Sequence, residues 1–303
     1  MSNYLDRFFQ DAFNADQKAQ PPVANSFENA TDEQVAAHLD VDQYEEFQLT
    51  QAVRPAMDLK VKPVQGYRHD VYVDDESGGK VPVVMAAVSK DKLFSTFIKM
   101  IQRLGPVVDV VLESSHADSD HGHVDLYREH IDMPVLVSIL YEYEDILTND
   151  GCTGIAVLNP STPQEIQFEE HKLLIVYGSP LEPFEFILEN NGVTEKSDMK
   201  FITEAEHIHS SSDQYVKRFE NCVRIWDSTA TNAANLTTTA SKTKAKAKRA
   251  GATKVGTQTK TTLKAACCKE QSLLRLDHGG KLELAIVFFY APMSSFAERK
   301  TTI

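Results

Sequence analysis

The stretch Val81-Pro-Val-Val-Met-Ala-Ala-Val88 begins the part of the chain that decides the fold, and it is typical of a buried strand. In the next segment, Lys90–Leu104, apolar side chains recur at helical spacing, and Gly105 stands where a helix C-cap belongs. Val107-Val-Asp-Val-Val-Leu112 is a nearly continuous apolar run, which favours a strand buried on both faces. Strand, helix and strand in this order predict a crossover between parallel strands.

The same pattern continues on either side of this unit. His69–Val73 reads as a strand that forms a hairpin with the first one. A second strand–helix–strand unit is predicted from Lys172–Tyr177, Pro183–Glu189 and Met199–Ala205. The sequence therefore predicts a single α/β domain over residues 66–227, with a layered, mixed and partly parallel sheet and flanking helices.

The remaining elements of this domain are shorter or less clearly patterned. Residues near Val124 could begin a helix, and Met133–Leu147 fits a helix. A capping box of Ser211 and Gln214 predicts a helix over Asp213–Trp226. Two further strands are predicted, Gly154–Leu158 and Glu165–Phe168.

The segments outside the domain have a different composition. Residues 1–65 are expected to be a mostly disordered acidic arm, since residues 1–50 hold ten acids and two bases. Within this arm, Tyr4–Phe13 is either a solvated stretch or a helix that docks on a protein partner. Residues 228–268 are rich in Thr, Ala and Lys and are predicted to be a disordered basic tail.

A strand-like segment, Leu282–Tyr290, lies within the last predicted unit, residues 269–303. Such an isolated apolar strand either returns to an edge of the main sheet or remains exposed and prone to aggregation. A third explanation for this segment is that the chain after Trp226 arises from a shift of the reading frame.

The charge distribution limits the classes of partner. Residues 1–227 carry 18 Lys and Arg against 40 Asp and Glu, which excludes phosphate backbones as partners of the body. Residues 242–264 are basic and remain a candidate tether to nucleic acid. The sequence contains no apolar run of membrane-spanning length, no secretory signal and no disulfide-type cysteine spacing. We therefore expect a soluble cytoplasmic protein with no membrane association.

One polar segment, Glu113–Asp125, stands out as a candidate metal site. It directly follows the buried run that ends at Leu112, where open α/β sheets place their ligands. Imidazoles and carboxylates together are the ligands of zinc, iron and manganese. The candidate ligands in this segment are His116, Asp118, Asp120, His121 and His123.

A second histidine pair, His207 and His209, follows the predicted strand Met199–Ala205. If that strand runs parallel to the one ending at Leu112, both groups of histidines lie at one edge of the sheet. The alternative is that each group is an ordinary polar loop without a metal. Three isolated histidines are expected to be structural or surface groups: His69, His130 and His171.

Two short family resemblances accompany these patterns. His116-Ala-Asp-Ser-Asp-His121 is similar to the HxHxDH motif of metallo-β-lactamase-fold hydrolases and to the HxExDH variant of flavodiiron proteins, with an Asp in place of the middle His. The strands around Leu112, Met133-Pro-Val-Leu-Val and Gly154–Leu158 resemble the later half of a receiver domain. Glu113 then stands where that family has its phosphoacceptor Asp, and Asn159 stands where it has Lys.

The function predicted first is a non-catalytic binding or regulatory module, because no nucleotide-binding or nucleophile-elbow motif occurs. Its partner would be a protein that binds the flanking segments. The alternative is a metal-dependent hydrolase or oxidoreductase in which the His116–His121 segment holds Zn, Fe or Mn together with His207 and His209.

Overall fold

The computed structural model describes residues 26–73, 78–116 and 124–226, together with the backbone of two later strands, Lys269–Leu276 and Leu282–Tyr290. Several predictions from sequence fall outside the described residues. They concern the helix over Tyr4–Phe13, the candidate ligands between 117 and 123, and the basic stretch 228–268.

The described residues form both strands and helices. The strands are β1 (Gln43–Tyr44), β2 (Phe47–Gln48), β3 (Val53–Pro55), β4 (Gly66–Val73), β5 (Lys80–Ala87), β6 (Val107–Ser114), β7 (Val124–Asp132), β8 (Thr153–Leu158), β9 (Glu165–Phe168), β10 (Leu173–Tyr177), β11 (His207–Ser212), β12 (Lys269–Leu276) and β13 (Leu282–Tyr290). The helices are α1 (Asp32–Leu39), α2 (Lys90–Ile101), α3 (Met133–Glu142), α4 (Glu144–Asn149), α5 (Glu182–Asn190) and α6 (residues 213–226).

Seven strands form the main sheet, in the order β4-β5-β10-β9-β8-β6-β7. The predicted combination of helices with a sheet is confirmed, but the prediction that the sheet is partly parallel is wrong. Every pairing between the strands that the structure describes is antiparallel. Strands β5 and β6 do run in the same direction across α2, as a crossover requires. They are not neighbours, because β10, β9 and β8 lie between them.

Burial of both faces of the main sheet explains why the relative direction of its neighbouring strands was predicted wrongly. In β5, Val84 and Ala86 pack into the larger core with α2, whereas Val83 and Met85 pack on the opposite face. In β6, Val110 joins the larger core on one face. A continuous apolar run therefore indicates that a strand is buried on both faces, but it does not indicate whether the neighbouring strands are parallel or antiparallel.

A second sheet has four strands, in the order β12-β13-β11-β3. Strand β13, the isolated apolar segment of the sequence, pairs with β11 in this sheet, with Ile208 opposite Phe289. It therefore does not lie at an edge of the main sheet. Strand β11 also pairs with β3, where Ile208 lies opposite Arg54.

Residues 26–65 are ordered, in contrast to the predicted disordered arm. Thr31 and Gln34 form a capping box that begins α1. The apolar side of α1 buries Val35 and Leu39 against Ile208 of β11. This long-range packing orders the segment, although its acidic composition suggested an arm without a core.

Two further predictions of local structure are wrong. The segment after Val124 is strand β7 and not a helix, because it pairs along β6, with Leu112 opposite Leu126. The predicted strand Met199–Ala205 contains a 3-10 turn over Ile202–Glu204. Among the described residues, no helix combines the length and the hydropathy that crossing a bilayer requires.

Candidate metal centre

Strand β11 places two histidines side by side. His207 and His209 alternate with Ile208 along the strand, so both imidazoles lie on one face and Ile208 lies on the other. Ile208 packs against α1, which holds the strand in place. Both histidines are buried, with 2% and 0% of their surface exposed. The sequence predicts this pair in a loop after a strand, but both histidines belong to strand β11 itself.

A third histidine comes from the main sheet. His171 lies in the turn between β9 and β10, which closes with a hydrogen bond from the Lys172 amide to the Glu169 carbonyl, 2.9 Å long. The His171 ring centroid lies 4.8 Å from that of His207 and 4.4 Å from that of His209. One ligand nitrogen from each of the three residues lies within 4.8 Å of the other two. This spacing is compatible with three nitrogens that share one metal ion.

Each of these three rings directs Nδ1 to an oxygen atom. His207 Nδ1 contacts the Ala205 carbonyl at 2.8 Å, and His209 Nδ1 contacts the Gly151 carbonyl at 2.5 Å. A carbonyl oxygen only accepts, so both Nδ1 atoms donate, and the neutral rings carry their lone pairs on Nε2. His171 Nδ1 lies 2.5 Å from a Glu169 carboxylate oxygen in the same manner. Metal-ligating histidines have this arrangement, because the outer hydrogen bond sets the tautomer and orients the ring.

The neighbouring residue, Lys172, is a buried cation. Its Nζ donates to the Thr153 carbonyl at 2.8 Å and lies 5.6 Å from the centre of the Phe168 ring. Burial lowers the pKa of Lys172 to about 8, although the charges of Asp150, Glu169 and nearby acids oppose this. Lys172 thus fastens the β9–β10 turn to the first residue of β8.

A second group of metal-ligand side chains lies beside the first: His116, Asp150 and Cys152. The hydroxyl of Ser114 lies 2.7 Å from His116 Nδ1, and His116 Nε2 lies 2.9 Å from Asp150 Oδ2. Both ring nitrogens of His116 therefore face partners within the protein. This histidine joins the end of β6 to the loop before β8.

In the second group, burial and local contacts shift the pKa values of Asp150 and Cys152 in opposite directions. Burial raises the pKa of Asp150, but contacts with His116, Ser211 and Thr153 outweigh that effect and leave it below its ordinary value. Burial, followed by the nearby Asp150 and Glu170 charges, holds the pKa of the Cys152 thiol well above its ordinary value. Cys152 is consequently protonated and unsuited to act as a nucleophile at neutral pH.

The loop over residues 150–152 connects the two groups, since Asp150 contacts His116 and Gly151 accepts from His209. The two histidine-bearing segments that the sequence singled out therefore meet at neighbouring residues of one loop. The predicted reason was wrong, because residues 199–205 form no strand beside β6 and contain a 3-10 turn instead.

The predicted ligands are distributed unevenly over this region. His207 and His209 belong to the three-histidine centre, whereas His116 belongs to the adjacent group. The other four predicted ligands lie outside the described residues: Asp118, Asp120, His121 and His123. His171 was not among the predicted ligands, and its only signal in the sequence is its position in the polar turn Glu169-Glu-His-Lys172 between two apolar strands.

A small, mainly apolar cleft of about 40 Å³ borders the centre at His171. Strands β2, β5 and β10 contribute to its walls, together with the chain around Val64 and Phe201. The site thus combines a buried imidazole cluster with a small apolar opening at His171.

The main sheet is antiparallel, whereas receiver domains, whose later half part of the sequence resembles, have a parallel sheet. No family model, curated protein or solved structure matches this chain.

Proposed function

We propose that this protein is a metal-dependent hydrolase in which His171, His207 and His209 hold one divalent ion. The observation that carries the proposal is the common orientation of the three rings, each with Nδ1 directed to an oxygen atom. The sequence alone favours a non-catalytic binding or regulatory module first and a metal-dependent hydrolase or oxidoreductase second. The packing of three imidazoles supports the second of these.

The ligand set favours zinc and hydrolysis over iron and oxidation. Non-haem iron oxygenases use two histidines and one carboxylate, whereas three neutral imidazoles are typical of catalytic zinc. Three protein ligands leave a fourth position for water, whose pKa the metal would lower to near 7. His171 also lines a small apolar cleft, which supports access to the centre from that side.

The first experiment measures the metal content of protein purified without an affinity tag. We expect about one zinc per chain, whereas less than about 0.1 per chain would rule out the proposal. In His171→Ala and His207→Gln the affinity for zinc should fall at least about tenfold, because one of three ligands is lost. The matched control is His69→Ala, since His69 is exposed on β4, lies 3.6 Å from Glu185 and does not belong to the three-histidine group.

The second experiment asks whether the bound metal is catalytic. Hydrolysis of p-nitrophenyl acetate should disappear on chelation and return when zinc is added. A protein that binds zinc stoichiometrically but has the same rate with and without it would instead support the non-catalytic module.

A further inference from the structure

The second group of ligand side chains, His116, Asp150 and Cys152, has no part in the proposed function. One ligand atom from each residue lies within 4.8 Å of the other two. His116 follows strand β6, whereas Asp150 and Cys152 flank Gly151 in the loop before β8. The Ser115 amide donates to the Cys152 carbonyl at 2.8 Å, and this bond holds the two segments together.

One ring nitrogen of His116 is hydrogen bonded and the other is not. Nδ1 lies 2.7 Å from the Ser114 hydroxyl. Nε2 lies 2.9 Å from Asp150 Oδ2, but this oxygen is off the direction in which a ring proton would point. Within the described part of the chain, Nε2 therefore makes no hydrogen bond, although the side chain is only 10% exposed. A nitrogen and a carboxylate oxygen that lie close together without a hydrogen bond have the arrangement of two ligands of one cation.

Outer hydrogen bonds orient these ligands, as they do in metal sites generally. The Asp150 carboxylate accepts from the Cys152 amide at 3.3 Å and from the Thr153 hydroxyl at 2.5 Å. The Ser114 hydroxyl fixes the ring of His116 in the same way. The imidazole and the carboxylate are thus held in place before a metal arrives.

The charge balance of this group favours a divalent ion with affinity for sulfur. Asp150 and Cys152 are buried, with 0% and 1% of their surface exposed. A divalent ion bound by one carboxylate, one thiolate and one neutral imidazole forms a unit without net charge, which burial tolerates better than the carboxylate alone. A thiolate together with an imidazole selects zinc over magnesium or calcium, which prefer oxygen ligands.

We propose that His116, Asp150 and Cys152 form a second metal site, which takes one zinc ion separately from the three-histidine centre. The second site does not depend on the proposed function, since the two groups share no ligand. On binding, Cys152 Sγ releases its proton to water and forms a bond to the ion.

The protonated thiol sets the order in which the two sites fill. Burial holds the pKa of Cys152 well above its ordinary value, so zinc must displace a proton there. The second site therefore fills after the three-histidine centre, when metal is supplied. Its ion would fix the loop whose Gly151 carbonyl accepts from His209.

The test uses a full-length chain in which Cys152 is the only remaining cysteine of the four. The substitutions that produce this single-cysteine protein are Cys222→Ala, Cys267→Ser and Cys268→Ser. The protein is freed of metal, kept reduced with a phosphine and titrated with Co²⁺. A bond between sulfur and cobalt gives a near-ultraviolet charge-transfer band, which a site of three imidazoles does not give. We expect this band to reach full height after about one further Co²⁺ per chain beyond the first.

Three added substitutions assign the band. Cys152→Ala should abolish it, whereas His171→Ala should retain it, because His171 belongs to the other centre. His116→Gln should raise the Co²⁺ concentration at which the band is half-formed at least about tenfold, because one of three ligands is lost. Since Cys152 is the only thiol of the single-cysteine protein, the band of that protein decides the question even if Cys152→Ala fails to fold.

The outcomes separate the second site from the proposed function. Visible cobalt absorption without the near-ultraviolet band would overturn the second site, leave His116 and Asp150 as an ion pair and retain the three-histidine centre. A band that disappears in His171→Ala would mean that Cys152 shares an ion with that centre, which also overturns a separate site. If the band forms and only one Co²⁺ binds per chain, the second site stands and the three-histidine centre is wrong.

Discussion

His209 donates a hydrogen bond from Nδ1 to the carbonyl oxygen of Gly151, 2.5 Å away. This bond joins β11 of the four-stranded sheet to the loop that precedes β8 of the main sheet. The Gly151 amide in turn donates to the Ser210 carbonyl at 2.8 Å. The position of one proposed ligand therefore depends on the close approach of two backbones.

Gly151→Ala should disturb both stability and metal binding. A Cβ at this position would lie 2.5 Å from the Ala52 carbonyl oxygen and 2.9 Å from Ser210 backbone atoms, so β11 must shift. We expect the free energy of unfolding in urea to fall by about 1–3 kcal/mol. The affinity for zinc should fall as well, because His209 moves with the strand.

Gly154→Ala is the control for this change. Its Cβ would meet first the end of the Glu113 side chain at 3.0 Å, which can rotate away. A Gly151→Ala protein with the stability and zinc affinity of Gly154→Ala would contradict the role assigned to this contact.

Glu169→Gln should weaken zinc binding without unfolding the protein. The carboxylate lies 2.5 Å from His171 Nδ1, and its other oxygen accepts from the Leu173 amide at 3.4 Å. A glutamine amide can donate to Nδ1, and this would move the His171 proton to the nitrogen that the metal needs. Competition with a chelator should give an affinity about 10–100-fold lower. Glu189→Gln, on α5, is the control and should leave the affinity unchanged.

Arg218→Lys should loosen α6 from α3 and α4. Arg218 donates to both carboxylate oxygens of Asp145, at 3.1 and 2.9 Å, and to the Glu142 carbonyl at 2.7 Å. Its guanidinium also stacks 4.7 Å from the centre of the Tyr143 ring. Lysine cannot reproduce this fork, and the pair is partly exposed, so we expect a loss of about 0.5–1 kcal/mol in urea.

The same substitution at Arg103, an exposed arginine on a 3-10 turn, should lower the free energy of unfolding by less than Arg218→Lys does. Equal losses at the two positions would show that the contacts of Arg218 contribute nothing measurable.

The buried thiol of Cys222 should lower stability at high pH. Burial raises its pKa from 9.0 to about 12. The unfolded chain therefore loses this proton at lower pH than the folded chain, so stability is retained below pH 9 and is lost as the pH rises toward 12. At pH 10 the loss from this group is about 1 kcal/mol.

The measurement compares urea unfolding of the unaltered protein and of Cys222→Ala at pH 8 and pH 10. The unaltered protein should lose about 1 kcal/mol more than the variant between the two pH values. Parallel losses in both proteins would mean that the thiol ionises normally in the fold.

The local elements of this protein were largely determined by the sequence. Helix α2, strands β5 and β6 and the helix over residues 213–226 lie close to where their patterns predicted them. The hydrophobic periodicity of these elements extends over only a few helical turns or strand residues. A short stretch of sequence is therefore enough to recognise it. The sequence also singled out His207 and His209, because two histidines at alternate positions are visible without a structure.

Only the tertiary structure decided which strands pair and which histidine completes the centre. An apolar run such as β6 records burial on both faces but carries no information on the direction of its neighbours. His171 reaches His209 from a turn of another sheet, and no local pattern links residues that are so distant in the chain. The centre exists because β11 packs its histidines against the β9–β10 turn, and that packing is a property of the assembled sheets.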